Sequence, residues 1–154
     1  MTGHEAFLRR AIDVSVQARA EGNHPFGALL VEGGRVMVEA GNTVVTSGSP
    51  LAHAETNLVS KAVQQFAREE LKKCVVYTSC EPCAMCVGAL YWAGIRSVVY
   101  ALPCGELAKL AGSDFLIPCR DLFARAVEPV QVVGPLLADE ARAAHLGFWR
   151  AVSG

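Results

Sequence analysis

Two short runs in the sequence hold residue types that can do chemistry together: His53-Ala54-Glu55, and further along Pro82-Cys83-Ala84-Met85-Cys86. Each sits where a helix should begin. Leu58, Ala62, Val63 and Phe66 follow the first run at the helical period, so His53 and Glu55 fall in the first turn of a helix. Pro82 marks the start of a second helix over Cys83–Trp92. Cys83 and Cys86 are three apart, which puts both sulfurs on one side of a first turn, and His53 can add an imidazole nitrogen from the neighbouring helix. Two thiolates and one imidazole suit zinc. Three protein ligands also leave the fourth tetrahedral position to water, as in a catalytic site rather than a structural one. Free amides and positive dipole ends at both helix starts favour thiolate over thiol. The expectation is one zinc ion per chain. Two alternatives are a redox Cys-x-x-Cys pair and a structural zinc completed by Cys80, although the strand-to-helix corner should point Cys80 away. Cys74, Cys104 and Cys119 have no partner spacing and read as small buried hydrophobes.

The rest of the chain must position these residues. Its 154 residues and 52% hydrophobic content fit one globular domain spanning 1–154 and rule out a disordered or low-complexity chain. Thr2 with Glu5 is a capping-box signature, and Phe7, Ala11, Val14 and Ala18 recur at helical spacing up to Gly22. Phe26–Val31 and Val36–Ala40 are β-prone runs joined by Glu32-Gly33-Gly34-Arg35, a hairpin signal. Further strands are expected at Val75–Thr78, Ser97–Ala101 and Val130–Val133. Helices are expected at Glu106–Ala111 and from Asp139 to Arg150. Strand and helix alternate in the later half, so the fold class is α/β: a three-layer α/β/α sandwich around a five-stranded mixed sheet. Ala84–Ile95, the longest charge-free apolar stretch, is too short to span a membrane, and no signal-peptide pattern precedes Arg9 and Arg10, so a cytoplasmic location is expected. A net charge of −1 without long basic runs argues against a nucleic-acid partner.

The His-x-Glu and Pro-Cys-x-x-Cys runs, with Pro25-Phe26-Gly27-Ala28, Gly41-Asn42 and Tyr77-Thr78-Ser79-Cys80-Glu81-Pro82-Cys83, resemble the zinc-dependent cytidine and nucleobase deaminase superfamily. The similarity is to the branch with bacterial guanine deaminase, tRNA adenosine deaminase and yeast cytosine deaminase, and it thins beyond about residue 110. It implies a fold like that of cytidine deaminase and a hydrolytic reaction in which zinc-activated water attacks the ring carbon bearing an amino group. Glu55 matches the proton-shuttling glutamate of the family, and Asn42 its substrate-binding asparagine. The amide of Ala54 is a candidate donor to the substrate ring. The resemblance also implies a homodimer.

Phe26, Trp92 and Trp149 could stack on a flat base, although aromatic residues at such positions are commonly core. His24, before Pro25, could touch substrate or be a plain loop histidine, and His4 and His145 read as solvent-facing helix residues. Asp114 resembles the acidic residue with which guanine deaminases read a purine edge, or is simply a turn former. Leu146-Gly147-Phe148-Trp149 could fold back as a lid over a small pocket. The leading substrate is guanine, with a nucleoside, another aminated heterocycle such as cytosine, a pterin or a triazine, and tRNA adenosine as alternatives. Between Glu128 and Gly154 the tail is net acidic, which disfavours tRNA. A zinc-stabilised domain without activity is the reading furthest from these.

Overall fold

The structure is a computed structural model that describes residues 3–113 and 115–149. In chain order its elements are α1 (Gly3–Ala20), β1 (Gly27–Glu32), β2 (Arg35–Gly41), α2 (Val44–Ser47), α3 (Ala54–Gln65), α4 (Arg68–Leu71) and β3 (Val75–Cys80). There follow α5 (Ala84–Ala93), β4 (Ser97–Leu102), α6 (Cys104–Ala111), α7 (Cys119–Phe123), β5 (Gln131–Val133) and α8 (Ala138–Ala143). The sheet order is β2-β1-β3-β4-β5. β1 is antiparallel to both β2 and β3, whereas β3, β4 and β5 run parallel. The mixed sheet follows from the connections. Gly33 and Gly34, both at positive φ, close the tight hairpin between β1 and β2. The link from β3 to β4 carries α5 across the sheet and so returns a parallel strand.

Alternation along the strands builds the layers. Ala28, Leu30, Val76, Val98 and Tyr100 point into a core shared with Leu58 and Ala62 of α3, Val87 and Leu90 of α5, and Phe123 of α7. Leu29, Val31, Tyr77, Val99 and Ala101 point the other way, against Leu8, Ala11 and Ile12 of α1 and Ala141 of α8. The sheet therefore has helices on both faces. At Gly27 the backbone of α1 comes so close that a Cβ would lie 2.6 Å from the Ser15 nitrogen, so any side chain there would push α1 off the sheet. Among the described residues no helix is long and apolar enough to cross a membrane.

The C-terminal part departs from the sequence reading. α8 ends at Ala143 and the chain continues through turns to Trp149, so the single long helix expected there is not formed as far as the described residues reach. Arg150, like Thr2 of the expected capping box, lies outside them. His145, expected to face solvent, is 2% exposed. Its Nδ1 accepts a hydrogen bond from Trp149 Nε1–H (3.0 Å), and its ring lies 5.2 Å from that of Phe26. Arg19 fastens the segment to α1 by donating to the carbonyls of Ala144 (2.9 Å) and Leu146 (2.8 Å).

Burial, with the charge of Arg19 adding to it, pushes the His145 imidazole down from 6.5 to about 4. A depressed histidine pKa means that the unfolded chain binds the proton more readily, so stability is full above pH 6.5 and is lost as pH falls towards 4. The expected result is a melting temperature that drops over this interval, with a shallower drop in His145→Phe, as read by thermal scans at matched ionic strength.

Candidate active site

The metal-ligating residues stand one position earlier than the helical pattern suggested. His53 and Cys83 are the extended residues that precede α3 and α5, and Cys86 lies in the first turn of α5. Cys83 Sγ and Cys86 Sγ are each 3.6 Å from His53 Nδ1, and the three ligand atoms lie within 4.8 Å of one another. Tetrahedral zinc with Zn–S near 2.3 Å and Zn–N near 2.05 Å sets sulfur and nitrogen about 3.6 Å apart, so the three atoms already have the spacing zinc needs. A hydrogen bond from the Cys86 thiol, then one from His53, holds Cys83 down at about 4, against the opposing effect of burial. Cys86, as the donor in that bond and well buried, is pushed far up, so it keeps its proton until a metal displaces it. Cys80 is not part of the cluster. It packs with Leu8, Leu29 and Val99 in the opposite layer, as expected of a residue at that corner.

Glu55 lies two residues beyond His53 and is 6% exposed. It is outside the three-ligand group. Burial first, then the negative charge of Cys83, raises its carboxyl to about 7. Thr78, on the same sheet face as Val76, sets its position, with Oγ1 3.1 Å from Glu55 Oε2 and 2.9 Å from the carbonyl of Cys80. The carbonyl can only accept, so the single hydroxyl proton goes to Cys80 whenever Glu55 is protonated and donates. Thr78 was not singled out in the sequence. Its signal was present, since the strand alternation that buries Val76 also turns Thr78 towards α3.

Asn42 is 2% exposed. Its Oδ1 accepts from Val44 N–H (2.9 Å) and its own N–H donates to the carbonyl of Phe26 (3.1 Å). Among the described residues its Nδ2 bonds to no protein group. Ala54 is fully buried, and as the first residue of α3 its N–H has no intrahelical acceptor. Phe26 touches both cores, with its ring 6.2 Å from that of Trp149. The C-terminal segment thus folds back within its own chain, over the loop that leads into β1.

Trp92 is not brought to this site. It is 78% exposed near the end of α5 and lines an apolar groove with Tyr91, Leu122 and Val127. Six residues separate it from Cys86, about 9 Å along the axis and about a third of a turn round the helix, so it does not face the ligands. Asp114 lies outside the described residues.

Two further residues were given no role of their own in the sequence reading. Glu81 accepts from the amides of Cys104 (2.9 Å) and Cys119 (2.6 Å), tying the starts of α6 and α7 to the corner that carries Cys83. Asn23 Oδ1 accepts from Val45 N–H (3.1 Å) and Thr46 N–H (2.9 Å), and so fixes the loop after Asn42. Cys119 is buried and Cys104 half-buried.

Residues 1–102 match the family described as the cytidine and deoxycytidylate deaminase zinc-binding region. The chain belongs to this family. It is a zinc-dependent deaminase, a hydrolase acting on carbon–nitrogen bonds. A probable cytosine deaminase of Schizosaccharomyces pombe is 45% identical over 149 residues, covering 94% of this chain and 91% of that protein. Guanine deaminase of Bacillus subtilis is 41% identical over 115 residues, covering 74% of each. Among solved structures, guanine deaminase from Nitrosomonas europaea has a TM-score of 0.79 at 28% identity, covering 91% of this chain and 81% of that one. The deaminase thus has the fold and the metal chemistry that its two motifs implied.

Proposed function

We propose that the enzyme hydrolyses the amino group from a free nucleobase, with guanine, converted to xanthine and ammonia, as its first substrate. The carrying observation is a buried carboxyl at Glu55, beside the His53, Cys83 and Cys86 cluster without joining it. Zinc, held by those three residues, would supply a water ligand acidified towards a pKa of about 7. Glu55 takes a proton from the attacking water and delivers it to the ring nitrogen, then takes the second proton from the hydroxyl now on the ring carbon and delivers it to the departing amine, so that water is consumed and ammonia leaves. A carboxyl raised to about 7 is suited to both accepting and returning a proton. Asn42 Nδ2 and the Ala54 amide hold the base, Phe26 forms an apolar wall, and Thr78 orients Glu55.

The C-terminal segment lying over Phe26 favours a small planar substrate over a polynucleotide, in keeping with the net charge of −1. Guanine is supported by the likeness to guanine deaminases. Cytosine is the second reading, favoured by the similarity to the probable cytosine deaminase, which covers 94% of this chain. An ammonia-release screen across guanine, adenine, cytosine, their nucleosides and a tRNA anticodon stem-loop separates them. Guanine should give the highest kcat/KM. A higher value for cytosine installs the second reading, and release from the stem-loop alone overturns both.

The enzyme is also proposed to form a homodimer through the α5–α7 face, where Trp92 and Val127 are 78% and 96% exposed. An apolar surface of this kind calls for a partner. Light scattering at micromolar concentration should give twice the chain mass, and Trp92→Glu should halve it. A monomer throughout removes this part of the proposal.

A further inference from the structure

Resting on the deaminase reading above, we infer that His24 is a substrate-contacting specificity residue, supplying a hydrogen bond to the polar edge of the bound base at the pocket mouth. His24 lies three residues before Gly27, and Ala28 pairs with Thr78, the residue bonded to Glu55. The loop carrying His24 therefore enters the sheet beside Thr78, which holds Glu55, and beside Gly41, which pairs with Gly27 and precedes Asn42. The Asn42 amide bonds the carbonyl of Phe26 in that same loop. The His24 ring is half-buried and set edge-on between Trp149 (5.2 Å) and Phe148 (5.8 Å).

The backbone holds the ring where it is. Pro25 restricts His24 to extended conformations, and the Phe26 amide bonds back to the His24 carbonyl (2.9 Å). An aromatic cluster of Phe26, Phe148 and Trp149 would be filled as well by phenylalanine, with no polar atoms to satisfy. His24 instead brings two ring nitrogens, and among the described residues neither bonds to a protein group. Burial, followed by the neighbouring His53, lowers its pKa, so the neutral ring presents one donor and one acceptor. That is the equipment for reading a ring nitrogen, carbonyl or amino group of a heterocycle, which likewise alternates donors and acceptors along its edge.

The test compares His24→Phe, which keeps the packing and removes the nitrogens, with His24→Asn, which keeps a donor and an acceptor and gives up packing. Steady-state kinetics are read on guanine and cytosine, with zinc content and melting temperature measured alongside. With the hydrogen bond in place, kcat/KM on the substrate used falls by about 10- to 100-fold in His24→Phe and stays within about fivefold in His24→Asn. Zinc content is unchanged in both. The reverse order, with Phe tolerated and Asn impaired, makes His24 a packing residue and overturns the inference, as do equal losses in both variants. A wild-type protein that releases ammonia from neither base overturns the proposed guanine and cytosine readings first, and this inference with them.

Discussion

Glu55→Gln should keep its zinc and its fold while turnover falls by about 10²–10⁴-fold or more. Glutamine preserves the size of the side chain and can still meet Thr78 Oγ1, which lies 3.1 Å from the carboxyl in the native protein. It cannot accept a proton from water and pass it on. Burial costs the glutamate its ready ionisation, and a neutral amide suffers no such cost, so stability should hold or rise. Binding of the base should survive, since Asn42 and Ala54 are untouched. Metal analysis, a thermal scan and an ammonia assay on one preparation check all three points. Turnover near the wild-type rate would remove Glu55 as the shuttle, and loss of zinc would move it into the metal shell.

Cys83→Ala should act at the other end of the same chemistry, with zinc content near zero and ammonia release at background. Cys83 is the sulfur held as thiolate, its pKa brought down to about 4, and it sits 3.6 Å from the His53 nitrogen. Without it, two ligands remain, too few for a stable zinc site. A chelator applied to the wild type should reproduce the loss of activity, and zinc, not magnesium, should restore it, because a sulfur-rich donor set discriminates against hard cations. The melting temperature should fall in both cases, since bound metal stabilises the folded state by mass action. Full activity in the chelated protein would contradict this account.

The metal cluster was legible because its information is local. A Cys-x-x-Cys pair at a helix start fixes the two sulfurs from sequence spacing alone, and the histidine before α3 needs only the sheet to bring two helix starts together. The five strands were legible for a similar reason, each carrying a run of β-prone residues that the alternating layers then use. Helices α2, α4 and α7 were not, because four or five residues are too few to show a helical period. Trp92 was misplaced through proximity in sequence, a poor guide over a helix whose end lies well away from its start. His145 was misplaced because its burial depends on a long-range contact with Phe26 and on Arg19, which local patterning does not contain. Thr78 and Glu81 belong to this last group, since their roles depend on partners 23 and 38 residues away.

The most direct test of the central claim is turnover in water enriched in oxygen-18, with product and ammonia measured together. Hydrolytic deamination at this site predicts one labelled oxygen in the product base for each ammonia released, on the carbon that carried the amino group. It also predicts loss of both signals in Glu55→Gln. Ammonia without label in the product, or a labelled product made equally fast by Glu55→Gln, would contradict the account.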